Sequence, residues 1–472
     1  MDDLGESAGP LTPADLAIDI LGRCLLPSPV AGHLGERGVQ FVGAADKVLL
    51  DDALSSLKRS GADLTAQPAF ELAGPRDKIF FDPRTLRCGI VTCGGLAPGL
   101  NNVVRGIVLE LWAGYGVRQI LGFRYGYEGL IARCGHAPLP LTPESVAHIH
   151  HEGGTMLGTS RGSQDPAELV DNLEANGIGI LFVIGGDGSM NGAIRVCAEI
   201  ARRGLRIGVV GVPKTIDNDV PFIDRSFGFV SAYSAAVEVI RSARVEAMAA
   251  RDGIGLVKLM GRHSGFLACR AALASTEADL VLIPEVAFAL EGETGVYACI
   301  ERVLARKGHA VIVAAEGAAQ DLIADQMLSE AHDKSGNVKL KDVGVFLRDC
   351  IVAHFRSRGR EATVKYIDPS YAIRSIPACP SDSVYCWNMA RNAVHAGMAG
   401  NTALMIGRWH GHFVHVPMAL AIRRSRCVDP DGDLWMSVIE STGQPRALAA
   451  GVQNPSALAS AGARSAALSA SS

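Results

Sequence analysis

No surplus of basic charge is present in this 472-residue chain. Its 45 Lys and Arg stand against 49 Asp and Glu, a formal net charge of −4. Nothing is therefore set aside to neutralise a nucleic-acid backbone or an anionic membrane surface, and neither partner is expected. No run of 18 apolar residues occurs, so no membrane-spanning helix is expected. The eleven cysteines, scattered from Cys24 to Cys427, include no Cys-x-x-Cys pair; the nearest approaches are Cys88/Cys93 and Cys379/Cys386. That spacing excludes zinc ribbons and thioredoxin-like redox sites. It reads as reduced, mostly buried thiols in a cytoplasmic compartment. Residues 1–7 are acidic where targeting peptides are basic, which gives the same expectation.

What is there is the composition of a folded α/β protein: 48% apolar residues, 20% charged and 53 glycines. The length allows two to four domains. Between Arg87 and Val416, short apolar runs alternate with helical patterns. The runs at 88–93, 179–184, 207–212, 255–259, 279–283, 310–315 and 362–367 read as strands, and 102–111, 193–203, 230–244, 293–305 and 343–355 as helices. Nearly continuous apolar strands separated by helices imply mainly parallel sheets covered on both faces. The expected fold is α/β: two doubly wound, Rossmann-like lobes with the active site in the cleft between them. Residues 1–80, with broken helical patterns at 14–25 and 44–57, read as an N-terminal extension on the surface. Residues 81–430 form the core. Residues 431–472 read as a tail, rich in Ala, Ser and Gly and disordered after about 444.

Ligands in such sheets bind beyond the carboxyl ends of the strands. The first strand is followed by Gly94-Gly95-Leu96-Ala97-Pro98-Gly99-Leu100-Asn101, either a phosphate cradle at a helix start or a tight turn. The second is followed by Gly185-Gly186-Asp187-Gly188-Ser189, a carboxylate among glycines suited to a magnesium ion on phosphates. The third is followed by Pro213-Lys214-Thr215-Ile216-Asp217-Asn218-Asp219. Carboxylates two residues apart on an extended segment point the same way, so Asp217 or Asp219 can serve as a base, with Lys214 and Thr215 holding phosphate oxygens. The fourth strand leads into Met260-Gly261-Arg262, with Arg262 read as opening a helix and steadying a phosphate. Glu316 and Gly317 end a further strand. Lys365, Tyr371 and Arg374 give two cations and a phenol suited to a second phosphate.

Taken together, 94–101, 157–162, 185–189, 213–219, 258–266, 315–317 and 365–374 resemble the 6-phosphofructokinases, over some three-quarters of the chain. The forms at 70–76 and 365–371 look most like the plant and trypanosomatid ATP-dependent group. The resemblance implies transfer of the γ-phosphate of MgATP to the 1-hydroxyl of fructose 6-phosphate. Asp217 would then be the base, with Thr215 beside it and Arg262 stabilising the transferring group. Gly94, Arg161, Gly162, Gly186, Gly188 and Ser189 would contact the nucleotide, and Asp187 would hold its Mg²⁺. Thr215, Ile216, Asp217, Met260, Gly261, Arg262, Glu316, Tyr371, Arg374 and Lys365 would line the sugar-phosphate site. In this family Gly188 accompanies ATP and an aspartate there accompanies pyrophosphate; Lys214 occurs with both donors. A pyrophosphate-dependent enzyme and a non-catalytic regulatory subunit are the competing readings. The bacterial relatives use an arginine where this chain has Gly253, with Arg251 nearby, and another where it has Lys365. The family also implies an allosteric homotetramer.

Overall fold

A computed structural model describes residues 11–30, 40–60, 63–324, 340–423 and 425–448. They fall into two compact units. The first takes in the described residues up to 235 and 370–426; the second takes in 236–324, 340–369 and 427–448. The division falls within the helix Phe229–Met248.

Among the described residues, the sheet of the first unit has nine strands. Their order is Lys47–Leu49, Ala69–Leu72, His412–Pro417, Leu404–Trp409, Gly208–Pro213, Ile180–Gly185, Arg87–Thr92, Gln119–Phe123 and Leu139–Pro140. The five from Leu404–Trp409 to Gln119–Phe123 run parallel, and the outer ones are antiparallel. Every residue of Ile180–Gly185 and Gly208–Pro213 is buried, which is why those segments read as unbroken apolar runs. Pleating sends alternate side chains into separate cores. Ile180, Phe182 and Ile184 pack under the helices Leu100–Leu109 and Pro380–Met398. Leu181 and Val183 pack under Pro166–Ala175 and Asp187–Arg202.

The second unit is built on a parallel sheet in the order Leu280–Leu282, His309–Ala315, Gly253–Leu259, Thr363–Ile367. One face is covered by Val296–Lys307 and Val343–Ser357. The helix Phe266–Ser275 packs on two of the strands, and Asp433–Thr442 packs against that helix.

The strands and helices expected from 88 to 367 form, with ends shifted by a few residues. The first 80 residues differ. Lys47–Leu49 and Ala69–Leu72 are strands added to the sheet edge, the first lying inside a segment read as helical. Only Leu54–Ser60 at its end is helix, and 14–25 holds a single tight turn, Pro13–Leu16. At the other end the chain stays ordered past 444. The Gln444 side chain accepts the N–H of Val281 at 2.7 Å and donates to its C=O at 3.2 Å, sealing a strand edge, and Leu448 is buried. Residues 449–472, expected to be disordered, lie outside the described residues, as do 1–7.

Candidate functional site

Because Arg87–Thr92, Ile180–Gly185 and Gly208–Pro213 are neighbours in one sheet, the loops that leave them meet at one edge. Gly94 is left-handed (φ 83°); a Cβ there would stand 3.6 Å from Nζ of Lys214 and 3.7 Å from Oγ of Ser189. Gly185 is needed because the Ser189 side chain fills the place of its Cβ. The Ser189 C=O is held from behind by the Tyr127 hydroxyl at 2.7 Å. Asp187, Gly188 and Ser189 open the helix Asp187–Arg202, whose start presents N–H groups unused within the helix. Around the Cβ position of Gly188 there is nothing within 4 Å.

The first glycine loop is accessible at Gly94, Gly95 and Leu96 only. At its helix start Leu100, Asn101 and Asn102 are buried, and Asn101 is taken up by Met156 and Glu152. A ligand at this loop would thus meet the glycine pair and not the helix start.

A buried lysine and a half-buried carboxylate face this edge. Burial pushes Lys214 down to about 8, with Asp217 and Cys93 opposing and Arg374 and Arg161 adding to the fall. Burial pushes the Asp187 carboxyl up to about 6; the charge of Asp219 adds to the rise and Lys214 opposes it. A carboxylate kept half-buried beside a second one suits a divalent cation. Among the described residues no cluster of three metal-binding side chains occurs. A magnesium ion held by one or two carboxylates plus phosphate oxygens needs none.

The turn after Gly208–Pro213 alternates: Thr215, Asp217 and Asp219 are half-buried, while Ile216, Asn218 and Val220 are buried. The Thr215 hydroxyl accepts the N–H of Asp217 at 3.0 Å and donates to Asp219 at 3.1 Å. Asn218, left-handed at φ 57°, accepts the N–H of Ser226 at 2.9 Å, and the Ser226 hydroxyl donates to the Thr215 C=O at 2.6 Å. Both carboxylates are left partly exposed, and the left-handed Asn218 between them means that the turn is not the extended segment the spacing argument assumes. Ile216, expected in the sugar-phosphate site, is only 5% exposed, so little of it is open to a ligand.

Arg161 and Gly162 are exposed. The guanidinium of Arg374 lies over the ring of Tyr371 at 4.8 Å, and Tyr371 is itself exposed.

In the second unit, Met260, Gly261 and Arg262 follow Gly253–Leu259, and Glu316 follows the neighbouring His309–Ala315. The two loops interlock. Glu316 donates its N–H to Leu259 at 2.8 Å and Gly317 donates to Gly261 at 3.0 Å. Arg262 does not open a helix, because Gly261 (φ 130°) turns the chain and the helix begins at Phe266. Lys365 lies in the middle of its strand and pairs with Glu246 at 3.7 Å; Tyr371 and Arg374 belong to the first unit. Gly253 has no room for the bacterial arginine, since a Cβ there would overlap the Ala247 C=O, and Arg251 is exposed.

Sequence reasoning missed the support for these loops. Lys258 bridges Asp342 at 3.1 Å and Asp368 at 2.8 Å, tying the strand before Met260 to the segment that leads to Tyr371. Tyr127 was missed as well. Its only signal was a bulky residue between Gly126 and Gly129, past the end of the short strand Gln119–Phe123.

The sequence profile of the phosphofructokinase family matches residues 87–397. An "ATP-dependent 6-phosphofructokinase" of Amycolatopsis methanolica is 53% identical over 437 residues, covering 91% of this chain and 95% of that one. That of Trypanosoma brucei brucei is 42% identical over 436 residues, covering 92% and 88%. "ATP-dependent 6-phosphofructokinase 7" of Arabidopsis thaliana is 46% identical over 376 residues, covering 80% and 77%. Among solved structures, a pyrophosphate-dependent phosphofructokinase from Marinobacter aquaeolei aligns with a TM-score of 0.61 at 20% identity, covering 78% of this chain and 93% of that one. At that identity the likeness concerns the fold alone.

Proposed function

The chain belongs to the phosphofructokinase family, and from that premise we infer that its strand-end loops bind ATP and fructose 6-phosphate. It is an ATP-dependent 6-phosphofructokinase: it moves the γ-phosphate of ATP to the 1-hydroxyl of fructose 6-phosphate, giving fructose 1,6-bisphosphate and ADP. The observation that carries the donor assignment is the open space at Gly188. A carboxylate in that space would crowd and repel the α-phosphate of a nucleotide; a hydrogen leaves it free.

Phosphoryl transfer asks a protein mainly for positioning and charge balance. Asp217, presented beside Thr215, takes the proton of the attacking hydroxyl. Gly94, Gly186 and Ser189 offer close main-chain and hydroxyl contacts to the donor phosphates, and Lys214 and Arg161 supply positive charge. Asp187 would hold Mg²⁺, which when bound would neutralise charge on the phosphate chain. Arg262 offsets charge on the transferring group; Met260, Gly261 and Glu316 receive the sugar. A homotetramer with effector control and a cytoplasmic location complete the reading. They draw on the family resemblance and on the composition; among the described residues no helix is long and apolar enough to cross a membrane.

The test is a coupled assay for fructose 1,6-bisphosphate with fructose 6-phosphate, Mg²⁺ and either ATP or pyrophosphate. Turnover with ATP alone is expected. Turnover with pyrophosphate alone overturns the donor assignment, and turnover with neither, from folded protein, favours a regulatory subunit.

A further inference from the structure

The turn that carries Asp217 holds two residues in a conformation that side chains rarely adopt. Asn218 is left-handed at φ 57° and Phe222 at φ 58°. Asparagine tolerates this state, whereas a phenylalanine there is an outlier. Such residues persist only where their surroundings hold them, and they gather at working sites. The base of the turn is closed by a bridge between Lys214 and Phe227 and by the Ser226 bonds to Asn218 and Thr215.

The far stretch of the turn is held by Arg426. Its main-chain N–H donates to the Asp219 C=O at 2.6 Å, and its Nη1 donates to the Ile223 C=O at 2.8 Å. These carbonyls belong to the residues that directly follow Asn218 and Phe222. One residue thus clamps the chain just after each left-handed position. Its own segment is anchored: two residues on, the Glu285 carboxylate accepts the Val428 N–H at 2.7 Å. Between the clamps Val220 is buried, and so is Ile223 at the second, so the stretch cannot swing outward without exposing them.

We propose that Arg426 is a positioning residue for the phosphoryl-transfer step, holding the strained stretch 218–223 and, through it, the carboxylate of Asp217. The proposal rests on the assignment of Asp217 as the base. A base must stand within hydrogen-bond reach of the proton it takes, so a small drift of the turn is felt in turnover. The guanidinium suits this task, because its donors are fixed in a plane and its charge strengthens a bond to a carbonyl. The Asp219 clamp is made by the main chain and survives substitution. Variants at 426 therefore read the clamp on Ile223.

The experiment measures kcat, both KM values and the melting midpoint for the wild type, Arg426→Met and Arg426→Lys, each with Asp217 intact and with Asp217→Asn. With Asp217 intact, Arg426→Met lowers kcat about 10–100-fold and leaves the KM for MgATP within about threefold. Arg426→Lys, which keeps one donor, falls between. In the Asp217→Asn background the same Arg426→Met change lowers kcat by less than about threefold, because the group it positions is gone. A kcat for Arg426→Met within about threefold of the wild type overturns the proposal. An equal loss in both backgrounds overturns it too, since that is what a general weakening of the fold gives. If Arg426→Met does not fold, Arg426→Lys is read by the same two criteria. Should Asp217→Asn keep a kcat near the wild type, the base assignment falls and the proposal with it. A slow Asp217→Asn beside a fast Arg426→Met removes the proposal alone.

Discussion

The Thr215 hydroxyl stands 3.1 Å from Oδ1 of Asp219, a bond that spans the turn carrying Asp217. It makes the two carboxylates unequal. Asp219 is tied into the turn, and its charge bears on Asp187. Asp219→Asn therefore acts on the nucleotide side, raising the KM for MgATP several-fold and lowering kcat less than about 100-fold. Asp217→Asn lowers kcat by about 10²–10⁴, with KM for fructose 6-phosphate within about threefold. Steady-state kinetics on both variants decides the matter; the opposite pattern exchanges the roles.

Gly188→Asp separates activity from stability. The side chain enters open space in the first turn of Asp187–Arg202, where an acidic group suits the helix dipole. The thermal midpoint should stay within about 2 °C. The KM for ATP should rise at least tenfold, since a carboxylate then stands beside Asp187 and the nucleotide phosphates. A midpoint drop of many degrees would mean that the space is not free.

The sheet and the donor loops were legible because burial on both faces leaves a plain trace. Every residue of Ile180–Gly185 is buried, so the run is apolar without interruption, and the polar loop at its carboxyl end stands out against it. The edge strand Lys47–Leu49 has no such trace: it is three residues long, none of them fully buried, and its place depends on Ala69–Leu72 lying beside it. The neighbourhood of Arg426 was hidden for a different reason. Its bonds go to the carbonyls of Asp219 and Ile223, more than 200 residues away in sequence, and a carbonyl leaves no mark on residue type. Arg262 was misplaced on a helix because Gly261 was read as part of a helix start, whereas it is the turn, at φ 130°, a conformation that glycine adopts readily.

The buried Lys214 ties activity to pH. In the free enzyme it loses its charge near pH 8, below the usual lysine value of 10.5. The ratio kcat/KM for MgATP reports the free enzyme, so it should fall as pH rises past about 8. That limb should be absent in Lys214→Met. Stability runs the other way. The unfolded chain holds the lysine proton more tightly than the folded one, so the folded state gains as pH rises from about 8 toward 10.5. Activity and melting profiles between pH 6 and 10 check both signs, and a limb that persists in Lys214→Met assigns it to another group.

Gly317→Ala tests whether the second unit works through its interlocked loops. A Cβ at 317 would occupy the space of the Arg262 C=O, so the two cannot both keep their places. Overpacking of this kind costs about 1–3 kcal/mol. Here the backbone that must yield carries Arg262, so the KM for fructose 6-phosphate should rise about tenfold while the KM for MgATP changes little. Gly308→Ala is the control. It is left-handed (φ 74°), and no atom lies within 4 Å of its Cβ position. It therefore loses about 1 kcal/mol of stability to backbone strain, with both KM values unchanged. If Gly317→Ala and Gly308→Ala lower the melting midpoint alike and neither moves the KM for the sugar phosphate, the interlock serves stability and the Arg262 loop is placed by something else.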